Sequence, residues 1–169
     1  MHKFKVIFLG DQQVGKTTLL KRAIEGTLCS KIEPTIGVDN LFYYSSDVTL
    51  QCWDTSGSDR FKKVIPLFAR DCDMAVYVFD ARRPQTLLNV RNWYNMTQNL
   101  DLPPKMHLLV DMTVGQRVAT EGFEEFEILD GRYPQHVMED IIAKICTHRE
   151  SFNIEIQGGR QVCCFGLCQ

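Results

Sequence analysis

The stretch GDQQVGKTT at residues 10–18 fits the pattern GxxxxGK[ST] without a mismatch, with Gly10, Gly15, Lys16 and Thr17 at the defining positions. Glycines at this spacing let the backbone turn tightly, so that the N–H groups of Asp11, Gln12, Gln13, Val14 and Thr18 can face phosphate oxygens. Lys16 adds a cation toward the β and γ phosphates, and the Thr17 hydroxyl can ligate Mg²⁺. A helix that starts at this point adds the partial positive charge of its N-terminus. A chance glycine turn would not need a strand before it and a helix after it, and both are written here.

Two further segments fit the same chemistry. In Trp53-Asp54-Thr55-Ser56-Gly57, Asp54 follows a strand and can hold Mg²⁺ through water, as an acidic residue does in P-loop NTPases. Gly57 can bring its N–H to a γ-phosphate with no side chain in the way. In Glu33-Pro34-Thr35-Ile36-Gly37, Thr35 is a second hydroxyl for Mg²⁺. Taken singly, Thr35 reads as a loop residue and Asp54 as a strand-end carboxylate; their order and spacing after a P-loop make a metal set of Thr17, Thr35 and Asp54.

The elements that must position these groups follow from periodicity. Phe4–Leu9 is a short apolar strand, and Leu20, Ala23 and Ile24 share a helical face over Thr17–Glu25. Leu41–Tyr44 and Val48–Trp53 flank the turn Ser45–Asp47 as a hairpin. Met74–Phe79 and His107–Val110 are further apolar strands, and Leu87, Val90, Trp93 and Tyr94 mark a helix between them. Val137, Ile141, Ile142 and Ile145 mark a last helix near Gln135–Arg149, and Ser151–Gln169 reads as a tail without period. Strands apolar throughout and alternating with helices predict an α/β fold, a mostly parallel sheet covered on both faces. Such a sheet takes ligands at the carboxyl ends of its strands.

The 169 residues suit one domain, and 44% hydrophobic with 24% charged residues reads as globular. A net charge of −2 argues against a nucleic-acid partner. No apolar stretch is long enough to span a bilayer, and the run VIFL near the N-terminus is too short for a signal peptide. Cys29, Cys52, Cys72 and Cys146 have no CxxC spacing and read as small core residues of a reducing, cytosolic protein.

Over residues 3–80 the sequence resembles the Rab family of Ras-like small GTPases, most of all its Golgi-type branch. The likeness is carried by FKVIFLGDQQVGKTTLLKR, PTIGVDN, WDTSGSDRF and VIPLFARDCDMAVYVFD, and it continues more weakly through Trp93. The resemblance implies a Ras-like P-loop G domain over 1–149, with a six-stranded sheet, one antiparallel hairpin partner and about five helices. It implies a switch that uses Mg²⁺ with GTP or GDP, in which Lys16, Thr35, Gly57 and the residue at Ser58 serve hydrolysis. Thr35 would lie in switch I and Gly57–Arg70 in switch II, the loops that meet effectors, an exchange factor and a GTPase-activating protein. A cytoplasmic monomer at the cytosolic face of Golgi or vesicle membranes is the matching expectation.

The pattern fails at the base. Ras-like proteins read guanine with Asn-Lys-x-Asp after the fifth strand, and the gapless register places Met112, Thr113, Val114 and Gly115 there. Asp111 lies three or four residues too early. Leu28 stands where the family has an aromatic side chain, and Asp130-Gly131-Arg132 stands at its Ser-Ala-Lys loop, with the long stem of Arg132 left to cover a base. Only a shortened fourth helix fits between Gly115 and Phe126. Charge-assisted hydrogen bonds contribute about 1.5–3 kcal/mol each, so losing two costs about two to four decades of affinity and most of the guanine preference. Ser58 stands where a glutamine orients the attacking water, which predicts slow hydrolysis that Gln12 does not rescue.

Two rival readings are a pseudo-GTPase binding module indifferent to nucleotide, and another P-loop enzyme such as a nucleotide kinase, which the WDTSG segment and Thr35 oppose. Trp53 and Phe68, with Phe42, form either an exposed effector surface or a buried contact. The segment 150–169 ends in Cys163, Cys164 and Cys168. Geranylgeranylation there would follow the family, although the last four residues do not form C-a-a-X; the other reading is an unmodified tail. Two lipid chains would give stable anchoring, one only marginal attachment.

Overall fold

The computed structural model describes residues 2–26, 33–113, 122–124 and 126–157, with the side chains of 150–157 left aside. The elements run β1 (His2–Leu9), α1 (Lys16–Glu25), β2 (Val38–Ser45), β3 (Val48–Thr55), a 3₁₀ turn (Asp59–Phe61), α2 (Ile65–Ala69), β4 (Met74–Phe79), α3 (Pro84–Gln98), β5 (Met106–Asp111), β6 (Ile128–Asp130) and α4 (Pro134–Gln157). The sheet has six strands in the order β2-β3-β1-β4-β5-β6, and β2 is antiparallel to β3 while the other neighbours are parallel. This is the α/β architecture of a Ras-like G domain.

The parallel strands are apolar on both faces because both faces are covered. Along β1, Phe4, Val6 and Phe8 enter one core with Leu19, Leu20 and Ala23 of α1 and Val137, Met138, Ile141 and Ile145 of α4. Ile7 and Leu9 enter the other core with Ile65 of α2 and Leu87, Val90 and Trp93 of α3. β4 divides in the same way and is buried at every position. Cys52 and Cys72 are buried thiols, each raised to about 12 chiefly by burial, as small core residues should be.

Three expectations need correction or extension. The buried face of α1 is built on Leu19, Leu20 and Ala23, and Ile24 is 38% exposed; at about 100° per residue Ile24 lies roughly 90° from the centre of that face. The last helix does not stop at Arg149 but continues to Gln157, because no helix breaker occurs before the Gly158-Gly159 pair. The hairpin is where expected but longer, with Ser45 opposite Val48 and Ser46 at φ 36 in the turn. The shortened fourth helix expected between Gly115 and Phe126 lies largely outside the described residues, as do Leu28, Cys29, Cys163, Cys164 and Cys168.

The sheet carries the phosphate loop at its centre. β1 lies between β3 and β4, so the Gly10–Gly15 turn leaves the carboxyl edge beside the ends of both neighbours. Gly10 has φ 143, and a Cβ there would meet the Val78 carbonyl oxygen at 2.2 Å. A side chain at this position would push the loop off β4, so glycine is required at the first turn.

Candidate functional site

A cleft of about 570 Å³ opens over the carboxyl edge. Its walls include Gln12, Gln13, Gly15, Lys16, Thr17 and Thr18 from the P-loop and the start of α1. Thr35 joins from the loop before β2, and Gly57 and Ser58 from the loop after β3. Three segments far apart in sequence thus line one cavity.

Lys16 is the cation of this cleft. It is 5% exposed, and its Nζ donates to the carbonyls of Gly10 at 2.9 Å and Asp11 at 2.8 Å. An ammonium group has three protons, so one remains for a phosphate oxygen. Burial pushes the Lys16 ammonium down to about 8, with the charges of Asp54 and Asp11 acting in the opposite direction. The buried cation is therefore incompletely compensated, and an incoming anion would stabilise it.

Thr17, Thr35 and Asp54 converge as the sequence predicts. The hydroxyls of Thr17 and Thr35 donate to Asp54 Oδ2 at 2.6 and 2.9 Å, and the two hydroxyl oxygens lie 2.8 Å apart. Two hydroxyl protons serve three oxygen–oxygen contacts, so one contact lacks a proton. Asp54 is fully buried, and its Oδ1 has no hydrogen-bond partner among the described residues. Burial raises the Asp54 carboxyl above its ordinary value, against the lowering effect of the two threonine bonds and Lys16. A buried carboxylate oxygen without a donor, beside two alcohol oxygens, suits a hard divalent cation such as Mg²⁺. The residues present fit the ion, and Thr17, Thr35 and Asp54 are the ones that would hold it, directly or through water.

Gly57 lies directly on the P-loop: a Cβ there would meet Asp11 C at 2.2 Å and Gln12 N at 2.3 Å. Only glycine allows the loop after β3 to approach this closely. Ser58 lines the cleft, and its N–H donates to Ser56 Oγ at 3.3 Å. Asp59 is turned outward and pairs with Lys62 at 2.6 Å.

The match of sequence to known families adds to this geometry. Residues 5–114, well over half of the chain, match the family model described as Ras of Complex, Roc, domain of DAPkinase. The chain belongs to this family of Ras-like GTPase domains. As a Ras-like domain it is a GTP-binding switch protein by family, and the family generally uses Mg²⁺ with GTP or GDP.

Past β5, Met112 and Thr113 stand at the first two positions that the sequence register gives to the base-reading motif. The Met112 side chain lies across Gly15 and Gly131; a Cβ on either glycine would meet its Cε at 3.1 Å or its Sδ at 2.3 Å. Thr113 is buried and turned toward the end of β4, where its hydroxyl accepts the Ala81 N–H at 2.6 Å. Asp111 accepts the Thr113 N–H at 2.8 Å, so its carboxylate caps its own strand end. Val114 and Gly115 lie outside the described residues. Arg132 pairs with Asp130 at 2.5 Å and is not among the residues that line the phosphate cleft.

Trp53 and Phe68 resolve into a half-buried pair, ring centroids 5.0 Å apart, with the Trp53 Nε1 buried and unpartnered among the described residues. Phe42 stacks instead on Tyr44. Sequence reasoning missed the outer support of the P-loop. Asp11 accepts from Asn89 Nδ2 at 2.7 Å and Trp93 Nε1 at 2.9 Å, and Arg83 donates to the carbonyls of Gln12 and Gln13 at 3.3 and 2.7 Å. Trp93 carried a periodicity signal, but that signal reports burial and not the indole N–H. Arg83 carried none.

Proposed function

We propose that the chain is a divergent Rab-type switch in vesicle and membrane traffic. It grips a Mg²⁺-bound triphosphate strongly, reads guanine weakly and hydrolyses slowly. The observation that carries this reading is the meeting of Thr17, Thr35 and Asp54, which ties the P-loop, the loop before β2 and the end of β3 to one cation-ready point. A binding module without need of nucleotide has no use for that convergence.

The chain's own groups divide the work. P-loop amides and Lys16 hold phosphate oxygens, and Mg²⁺ when bound supplies positive charge between them. Thr35 brings its loop to the metal point, and Gly57 brings the second loop against the P-loop. Departure of a γ-phosphate removes a common anchor from both loops, which makes them a pair of switches. Exposed Ile36, next to Thr35, and Leu67, on α2, 85% and 75% accessible, offer apolar contact to effectors, an exchange factor and a GTPase-activating protein. Ser58 is too short to orient an attacking water as glutamine does, so the loaded state should be long-lived.

The rival pseudo-GTPase reading draws on Met112, whose thioether has no hydrogen-bond donor and only a weak acceptor. A titration with labelled GTP, GDP and ATP, with and without Mg²⁺, separates the two. The switch reading expects Mg²⁺-dependent binding, less than about tenfold preference for GTP over ATP, and a change in the two loops that needs the γ-phosphate. Equal binding of all three without Mg²⁺, or none at all, would favour the scaffold. Localisation at the cytosolic face of Golgi or vesicle membranes, by lipid on Cys163, Cys164 or Cys168, belongs to the same proposal. Intact-mass spectrometry of protein from its native cell tests it, and an unmodified tail would remove it.

A further inference from the structure

The P-loop contains one residue in a conformation its type seldom adopts. Gln13 has φ 60. Among L-residues this left-handed region is disfavoured, and outside glycine it is visited mainly by asparagine and aspartate. Neither the 10–18 motif nor the family pattern requires glutamine here, so something must hold it.

The hold comes from outside the cleft. Arg83 donates through Nη2 to the Gln13 carbonyl at 2.7 Å and through Nη1 to the Gln12 carbonyl at 3.3 Å. Its Nε is aimed by the buried carboxylate of Asp80 at 3.4 Å, and Asp80 sits at the end of β4, next to the P-loop strand. In a trans peptide the C=O and the following N–H point in opposite directions. Fixing the carbonyls of Gln12 and Gln13 outward therefore fixes the N–H groups of Gln13 and Val14 toward the opposite side, where the cleft lies. Donation to a carbonyl also polarises its peptide and strengthens the N–H as a donor.

We propose that Arg83 is a positioning residue for phosphate binding, a brace on the outer side of the P-loop that keeps Gln13 in the left-handed region and the amide cradle preformed. The inference rests on the phosphate-binding reading above and adds to it a residue 70 positions away that never touches ligand. Preorganisation of this kind increases affinity by removing the cost of ordering the loop on binding.

The test uses the whole chain and inorganic tripolyphosphate with Mg²⁺, followed by isothermal titration calorimetry, with GTP in parallel. Arg83→Met keeps the stem and removes the donors, and it is expected to weaken tripolyphosphate about tenfold, the scale of one to two partly exposed charge-assisted hydrogen bonds. The decisive comparison is the same substitution on a Gln13→Gly background. Glycine adopts the left-handed region without a brace, so Arg83→Met should there cost less than about threefold. A merely structural arginine would show the same loss on both backgrounds. That result, or an Arg83→Met protein that binds as tightly as the unmodified chain, overturns the proposal. If Arg83→Met does not fold, Arg83→Lys keeps the cation with fewer donors, and its loss must likewise shrink on the glycine background. An unmodified chain that binds neither tripolyphosphate nor GTP with Mg²⁺ sinks the phosphate-binding reading itself, and this inference with it.

Discussion

At the scale of single residues the candidate metal point is a set of three side-chain oxygens that share two hydroxyl protons. Thr35 is the member with the least structural and the most functional reason to be there, because it reaches across 19 positions to the Asp54 carboxylate. Thr35→Ala should leave the fold intact but lower the preference for triphosphate over diphosphate by about tenfold in the presence of Mg²⁺, the value of one hydrogen bond to a charged group. Competition of GTP and GDP with a fluorescent nucleotide checks this, and an unchanged ratio would remove Thr35 from the metal point. Ser58 lines the same cleft. Ser58→Gln should raise single-turnover hydrolysis of loaded GTP by at least about tenfold, since a longer amide can position the water. No gain would mean that something other than the missing amide limits the rate.

At the scale of elements, α3 is more than a covering helix. Its Asn89 and Trp93 both donate to the carboxylate of Asp11, and Trp93 is 2% exposed. Asp11→Ala leaves a buried indole N–H without an acceptor and should destabilise the fold by about 1–3 kcal/mol in urea unfolding. A loss under about 0.5 kcal/mol would show that water replaces the carboxylate. β5 carries a second polar chain into the α3 interface. A consistent assignment has Gln98 donating to His107 Nε2, His107 Nδ1 to Tyr77 Oη, Tyr77 to Thr97 Oγ1 and Thr97 to the Tyr94 carbonyl. Burial lowers the His107 imidazole below its ordinary 6.5. A base with a lowered folded value binds fewer protons folded than unfolded, so its stability is complete above pH 6.5 and declines as pH falls through that value. Urea midpoints at pH 7.5 and 5.5 should therefore fall with acid, and His107→Gln should flatten that fall.

At the scale of the whole molecule, the two cores meet through the central strands. Phe8 of β1 is fully buried between α1, α4 and the sheet. Phe8→Ala should cost about 3–5 kcal/mol of stability, a loss carried by the whole fold and not by the phosphate loop alone. Thermal unfolding of the variant decides this, and a loss under about 1 kcal/mol would mean that the core collapses around the gap.

What the sequence by itself determined is what neighbouring residues impose on one another. The glycine loop, the apolar strands on either side of the hairpin, and the order of Thr17, Thr35 and Asp54 were legible because turn geometry, strand burial and motif spacing are short-range properties. The extent of α4 was misread for the same reason, since a weak period hides a helix that merely lacks a breaker. Only the tertiary structure decided that Met112 lies over Gly15 and Gly131, and that Arg83, Asn89 and Trp93 close on the back of the P-loop. The Arg83, Asn89 and Trp93 contacts join residues 70 to 82 positions apart, and Met112 lies 97 positions from Gly15 and 19 from Gly131. They exist because β1 lies between β3 and β4 in the sheet, and strand order is a property of how the two apolar faces are shared, which no local pattern contains.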